Sequence, residues 1–454
     1  MDYLGIAERL LEAGSTSPLT IRTYDKKGRY SDTTVHGERE PSSDLPYPRG
    51  IICSTSRIEG ALRDQLALHG VSVELDSAAR EVTQHADSVE VTVESAAGEQ
   101  RRIRAAYVIG ADGGRSVVRK QLGLKFEAID GTEIQEHAAV KGRVSVVADL
   151  IVEGMPREEV THMWPNGAAL APNPKADTYW FTTALTPNPD GTVDPPTLET
   201  CERIFHERTG RTEVRFLDAP WMSTYRFNVR MVDHYRSGRV FVAGDAAHIH
   251  LPAGGQGMNT GIQDAYNLGW KLAAVLRGAD AGLLDTYETE RRPVAAKVLR
   301  DSTRRGAALL LQAVLMRVAG RIKPLGRMFW RWWGKNRQLD VAYRSSALSR
   351  ELGPAPGKEA LRAGDRVPGP FDLLRGPHWT VFGLGSQTAG VLDELRNLPG
   401  VQAHVLESTA LGPADGTLLV VRPDGYLGLS CPADLAIVTD YLHDKLGRAE
   451  TMAA

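Results

Sequence analysis

The chain has no apolar run long enough to span a bilayer. Its longest, Ala307 to Met316, is interrupted by Gln312 and falls well short of the roughly 20 residues a spanning helix needs. Cysteine is scarce: Cys53, Cys201 and Cys431 stand far apart, with no CxxC pair and no metal-ligand spacing. That excludes a disulfide scaffold and fits a reducing compartment. Charge of one sign is missing too, since 54 Lys and Arg face 56 Asp and Glu for a net −2, which excludes the basic footprint of a nucleic-acid binder. There is no internal repeat and no low-complexity tract. The first ten residues read as an amphipathic helix, not a signal peptide. These absences leave a cytoplasmic protein with no nucleic-acid partner and no stable membrane insertion. A homodimer is compatible with them. What is present is 454 residues, 42% of them hydrophobic, enough for two or three cores.

Residues 2–13 read as a short helix closed by Gly14 as its C-cap. Extended segments follow at Leu19–Tyr24 and Tyr30–His36, then a Pro-rich loop at Pro41–Pro48. Arg57–His69 is periodic and helical, ending at Gly70. Val71–Leu75, Val89–Val93 and Arg101–Gly110 read as strands of a small antiparallel meander. From 133 to 219 the pattern is short strands with turns such as Trp164-Pro-Asn-Gly167. Residues 294–335 are helical and carry Trp330, Trp332 and Trp333 among basic residues, a face better suited to packing on the last domain than to a membrane surface. After Gly353-Pro-Ala-Pro-Gly357, short βα elements occupy Trp379–Leu384, Gln402–Leu406, Thr417–Val421 and Leu435–Leu446.

Two runs carry chemistry. In Val240-Phe-Val-Ala-Gly-Asp245-Ala-Ala-His248-Ile-His250-Leu-Pro252-Ala-Gly254-Gly-Gln-Gly257-Met-Asn259, a strand ends in Gly-Asp, passes a glycine-rich loop and enters a helix from about Asn259 to Arg277. A carboxylate at a strand end suits sugar-like hydroxyls, and the helix N-terminus suits negative charge. In Val108-Ile-Gly110-Ala-Asp112-Gly113-Gly-Arg115-Ser-Val-Val-Arg119, a second strand ends in Gly, Asp and a tight Gly-Gly turn. Its glycines admit a bulky ligand, and its arginines could offset phosphate. Either run alone is equally an ordinary strand-to-helix junction. His248 and His250 have no third ligand at useful spacing, so no metal is expected. Asp264 reads as a structural hydrogen-bonder, and Cys431, without a partner cysteine, as redox-inert.

Together, strand–GADGGRS, a β-rich insert and strand–GDAAH…GGQGMNTGIQDA resemble the single-component FAD-dependent aromatic hydroxylases, the class containing para-hydroxybenzoate hydroxylase, phenol hydroxylase and polyketide hydroxylases. The resemblance covers nearly the whole chain. Tyr287-Glu-Thr-Glu-Arg291-Arg-Pro293 is similar to the family's end-of-domain segment, and Val421-Arg-Pro-Asp-Gly-Tyr426 to its thioredoxin-like appendage. The resemblance implies an α/β fold: a doubly wound FAD-binding domain in two parts (1–132 and 220–293), an inserted β-sheet substrate domain (133–219), a helical connector (294–352) and a C-terminal thioredoxin-like domain (353–454). It implies FAD as cofactor, NADPH or NADH as co-substrate, and hydroxylation of a phenolic or polyketide ring with O2.

By the same resemblance Asp245 would bond the ribityl chain. Pro252 and the Gly254–Asn259 loop would border the isoalloxazine, with the N–H groups of Gly257, Met258 and Asn259 facing its N1–C2=O edge. Asp112 and Gly113 would lie near the pyrophosphate. No general base can be named; Tyr225, Arg226 and His162 are pocket candidates. The family's first signature, a strand–GxGxxG–helix unit, is not among these residues, and Gly5, Gly14 and Gly28 are too widely spaced to replace it. The expectation is an FAD domain incomplete at its N-terminus. Two other functions stay open on the residues alone: an FAD-dependent oxidase or dehydrogenase on the same scaffold, and a truncated or inactive member acting as a binding protein.

Overall fold

The computed structural model describes the chain apart from residues 17–19, 35–40, 43–45, 49, 130–143, 187, 189–191, 194, 227, 252–254, 320–337, 354–359, 370, 408–414 and 447–454. The N-terminal segment is a 3-10 turn, Asp2–Leu4, followed by helix α1, Ala7–Ala13. Gly14 ends α1 in an extended conformation, not the left-handed cap expected of it. Its requirement is close approach: a Cβ there would stand 2.6 Å from the Ile52 carbonyl oxygen. Helix α2, Thr55–Ala67, packs back on α1 through Ile58 and Ala61 against Ile6 and Leu10.

The meander is present but shifted. Its strands are Ser77–Gln84, Val89–Ser95 and Gln100–Ala105, and Val71–Leu75, expected as its first strand, is not a strand at all. Val71, Val73 and Leu75 are half exposed or more. Their alternation fits a strand, but among the described residues no neighbour offers them a ladder. Val108–Gly110 then runs parallel to Val240–Val242, Val108 opposite Val240 and Gly110 opposite Val242. It forms the edge of a three-stranded sheet with Ile109 45% exposed. The five-residue helix α3, Val117–Gln121, follows.

A seven-stranded sheet forms the second layer, in the order Arg215–Arg226, Val144–Glu153, Tyr179–Ala184, Ala168–Pro172, Val160–Met163, Thr20–Tyr24, Tyr30–Thr34. The hairpin 20–34 therefore lies outside the cofactor part assigned to it. It pairs in parallel with Val160–Met163. The strand Arg215–Arg226 also runs past the expected boundary at 219. Alternation buries Val144, Val146, Ala148 and Leu150 on one face against helix α4, Leu198–Thr209, through Cys201, Ile204 and Phe205.

Into that layer His162 is packed beside the stacked pair Tyr24 and Trp164, its Nδ1 2.8 Å from the Tyr24 hydroxyl. Burial first, then Arg22 and Arg211, pushes its pKa down to about 4. The unfolded chain takes up a proton near pH 6.5 that the folded ring refuses. Stability is thus whole above pH 6.5 and falls as pH drops toward 4, by at most about 1.4 kcal/mol per pH unit from this group. Denaturant midpoints at pH 7 and pH 5 check this. His162→Asn is expected to flatten the difference, and an unchanged slope would dismiss the assignment.

Helix α5, Gly257–Leu276, and helix α6, Asp285–Ala319, complete the first layer. The second starts earlier than the expected connector and passes through Pro293 without ending. The tryptophans at 330, 332 and 333 lie outside the described residues. Residues 379–446 form strand Trp379–Leu384, helix α7 (Ala389–Leu395), strand Val401–Leu406, the antiparallel pair Thr417–Val421 and Leu427–Pro432, and helix α8 (Leu435–Leu446). This is a βαβ unit followed by ββα, the thioredoxin-like order. Its core is shared with α5, since Trp270 and Ala274 pack among Trp379, Leu418 and Val438. Cys431 is buried there, and burial pushes its thiol up to about 12, which leaves no reactive thiolate. No described helix is long and apolar enough to cross a membrane, and no described group of three His, Cys, Asp or Glu could hold a metal.

Candidate functional site

Both chemistry-bearing turns sit at the C-terminal ends of the two parallel strands, where an open α/β sheet places ligands. In the first, Asp112 Oδ2 accepts the N–H groups of Val117 (2.7 Å) and Val118 (3.2 Å), and Ser116 Oγ accepts that of Arg119 (2.9 Å). The Asp112 carboxylate thus braces the first turn of α3 beside its N-cap residue Ser116, and the residue is exposed on its outer side. Gly113 has φ +77 with open space where a Cβ would stand, so the turn needs glycine for its backbone. Gly110 needs it for contact, because a Cβ would come within 2.7 Å of Val118.

Arg119 does not face a phosphate. It is buried, and its guanidinium donates to the Gly114 carbonyl (2.8 Å) and the Ala246 carbonyl (3.0 Å) while lying over the Phe126 ring. It ties the two turns to each other. Arg115 stays exposed. Gly114 meets Ile249 across the same junction, at 3.4 Å from the position of its would-be Cβ. Asp112, Gly113 and the 244–249 segment are therefore brought to one place.

In the second turn Gly244 has φ +57, and a Cβ on it would touch the Gly261 Cα at 3.6 Å. The turn thus lies directly on α5. Asp245 is exposed, and no described residue hydrogen-bonds its carboxylate. Beneath it Asp264, fully buried, accepts from Gly244 N–H (3.2 Å), His248 Nε2 (2.7 Å) and Arg291 Nε (2.7 Å). Burial opposes its ionisation, but Arg291 and His248 outweigh burial and hold the carboxyl below its ordinary range. Asp264 is a structural anchor, as its place in the sequence suggested, and His248 is that anchor's partner. Arg291 also donates to the Tyr343 hydroxyl (2.8 Å) and the Thr260 carbonyl (3.2 Å). Its role was not read from the sequence. The only signal was a Glu-Arg pair at 290–291 inside an otherwise apolar helical face.

No side chain caps the N-terminus of α5, so its first N–H groups, at Gly257, Met258 and Asn259, are available to an acceptor outside the helix. His250 lies against the first turn of α5 at Gly257. Its Nδ1 lies 2.6 Å from the Leu251 carbonyl, and its Nε2 would be 3.4 Å from a Cβ on residue 257. Burial lowers the His250 pKa, so the ring stays neutral. Pro252 and Gly254 lie outside the described residues. Of the pocket candidates, His162 is in the aromatic layer, and the side chain of Arg226 is outside the described residues. Tyr225 is half-buried and does not line the cavity described next.

A cavity of about 490 Å³ opens beside Arg115, lined further by Val144, Val193, Pro195, Pro196, Met222, Ser223 and Thr224. It lies between the GADGGRS turn and the edge of the seven-stranded sheet. A free carboxylate at a strand end, an uncapped 20-residue helix and glycines placed for close approach fit a dinucleotide-type flavin.

The FAD binding domain family model matches residues 1–302. A flavin-dependent monooxygenase of Mycobacteroides abscessus is 35% identical over 449 residues, 94% of this chain and 86% of that protein. A 12-dehydrotetracycline 5-monooxygenase/anhydrotetracycline 6-monooxygenase of Streptomyces rimosus is 36% identical over 275 residues, 59% of this chain and 53% of its own length. Among solved structures, the OxyS anhydrotetracycline hydroxylase of Streptomyces rimosus superposes with a TM-score of 0.66 at 28% identity, over 98% of this chain and 88% of its own. Two strand-end turns tied by Arg119, an uncapped helix packed on the second of them and this span of similarity converge on one conclusion: the chain belongs to the FAD-binding-domain family of single-component flavin-dependent monooxygenases.

Proposed function

We propose that the chain hydroxylates a phenolic or polyketide-type aromatic ring with NAD(P)H and O2, and that the ring sits in the cavity beside Arg115. The cavity carries this reading. Its 490 Å³ falls in the lower half of the range for pockets that take drug-sized ligands and leaves room for more than one ring. Valines, prolines and Met222 give it an apolar wall, Ser223 and Thr224 give hydroxyls, and Arg115 gives one cation. Relatives named for anhydrotetracycline and rifampicin support the same class. The domain division is retained with the hairpin 20–34 and the whole strand Arg215–Arg226 counted with the substrate sheet, and with the connector helix beginning at Asp285.

Bound FAD supplies hydride acceptance from NAD(P)H and activation of O2. The chain supplies the rest. Asp245 holds a ribityl hydroxyl, and the N–H groups of Gly257, Met258 and Asn259 face the edge where reduction deposits negative charge. Asp112 braces α3 and keeps the turn carrying Arg115 in place. Arg115 favours the ionised phenol, whose ring is the more electron-rich, and the valine, proline and methionine side chains give the ring apolar contacts.

Arg115→Ala is expected to weaken substrate binding about tenfold or more, the worth of one charge-assisted hydrogen bond, and to divert NAD(P)H oxidation from hydroxylated product to hydrogen peroxide. Equilibrium binding and a product-to-NAD(P)H ratio measure both. Anaerobic reduction of the flavin by substrate alone, without NAD(P)H, would replace this reading with a dehydrogenase.

A further inference from the structure

Glu290 and Arg291 are neighbours on α6 that reach in different directions. Arg291 grips Asp264 and the Thr260 carbonyl, and so the GDAAH turn and the first turn of α5. Glu290 grips the C-terminal unit. Its Oε1 accepts from Arg422 (2.6 Å) and Ser346 (2.6 Å), and its Oε2 from Arg422, Lys271 and Asn267 (each 2.8 Å). Arg422 also meets Asp424, which takes the Trp270 indole N–H at 3.1 Å. The side chains of Arg422, Glu290 and Lys271 are each at most 1% exposed.

Two carboxylates and two cations thus close a buried, charge-balanced cluster between the turn 422–426 and α5. Lys271 and Asn267 are on the same helix whose N-terminus faces the flavin. The two grips are joined a second way as well, because Tyr343 accepts from Arg291 and packs on Tyr426 with ring centroids 4.2 Å apart. Nothing in the flavin reading requires a C-terminal unit, yet its most buried cation is bonded to the helices that build the flavin turn.

We infer that Arg422 is a positioning residue for the flavin. By clamping Glu290 it fixes the axial and rotational setting of α5, and with it the N–H groups of Gly257, Met258 and Asn259 and the Gly244–Asp245 turn. The inference rests on the flavin-site reading above. Its physical basis is that a buried charge cluster has few alternative arrangements, so a helix held by it at mid-length has little freedom at its end. Loosening it disperses the aligned N–H dipoles that favour the negatively charged, reduced flavin.

The test uses the full chain with FAD. In Arg422→Met, FAD affinity by fluorescence titration is expected to fall at least tenfold, and the flavin midpoint potential to drop by about 30 mV, the equivalent of a tenfold loss of preference for reduced flavin in a two-electron couple. Arg422→Lys keeps the charge without the two-pronged geometry and is expected to lie between Met and wild type. Ser346→Ala removes one donor to Glu290 with no change of charge and is expected to shift both readouts severalfold less. It carries the test where Arg422→Met does not fold by circular dichroism. Folded variants with wild-type FAD affinity and potential would overturn the inference and leave the flavin reading intact. A wild-type chain that binds no FAD would overturn both.

Discussion

Arg291→Met is expected to destabilise the chain by roughly 3–5 kcal/mol, the usual result of removing one partner from a buried ion pair. The side chain is fully buried, and its loss leaves the Asp264 carboxylate, also fully buried, with His248 and one backbone N–H as its remaining partners. It also strips donors from the Tyr343 hydroxyl and the Thr260 carbonyl. With Arg291 gone the chief influence holding this carboxyl ionised is lost, and burial then penalises its charge. Thermal and denaturant unfolding followed by tryptophan fluorescence measure the loss. Asp264→Asn combined with Arg291→Met removes both charges and is expected to recover a large part of it. A single variant within about 1 kcal/mol of wild type would show that the pair is not what secures the turn.

Asp245→Ala is expected to do the opposite: fold normally and lose its cofactor. An exposed side chain with no described hydrogen-bond partner contributes little to stability, typically within about 0.5 kcal/mol. A charge-assisted bond to a ribityl hydroxyl is worth about 1.5–3 kcal/mol, or roughly ten- to a hundredfold in FAD affinity. The variant should purify with little yellow colour and a wild-type melting curve in the absence of flavin. Asp245→Asn, which keeps an acceptor but no charge, should fall between the two. Wild-type FAD affinity in Asp245→Ala would move the ribityl contact to another residue.

The glycine-rich runs were legible because each glycine answers to a local requirement, such as the left-handed backbone at Gly113 and Gly244 or the touch of Gly110 on Val118. Local chemistry writes itself into adjacent positions. The supports of the site were not legible, because their partners are distant in the chain: Arg119 meets Ala246, Arg291 meets Asp264, and Arg422 meets Glu290 across 132 positions. Strand identity in 71–75 failed for a related reason. Alternation describes a face but does not provide the neighbour that a strand needs. The hairpin 20–34 was recognised as extended, and its parallel pairing with Val160–Met163, which puts it in another sheet, had no trace in its own residues. The boundary placed after Pro293 on family resemblance is not an element boundary, because α6 runs from Asp285 to Ala319 straight through that proline.

The open edge of the strand Val108–Gly110 has a consequence for the molecule as a colloid. Its outer N–H and C=O groups face away from Val240–Val242, Ile109 is 45% exposed, and Val71, Val73 and Leu75 present further bare apolar surface. Among the described residues no strand pairs with this outer edge, and such an edge is a template on which another chain can add. With a net charge of only −2, long-range repulsion between copies is weak. Adhesion between folded copies is therefore expected to rise with protein concentration and to change little with added salt, a behaviour that light scattering on a concentration and salt series checks.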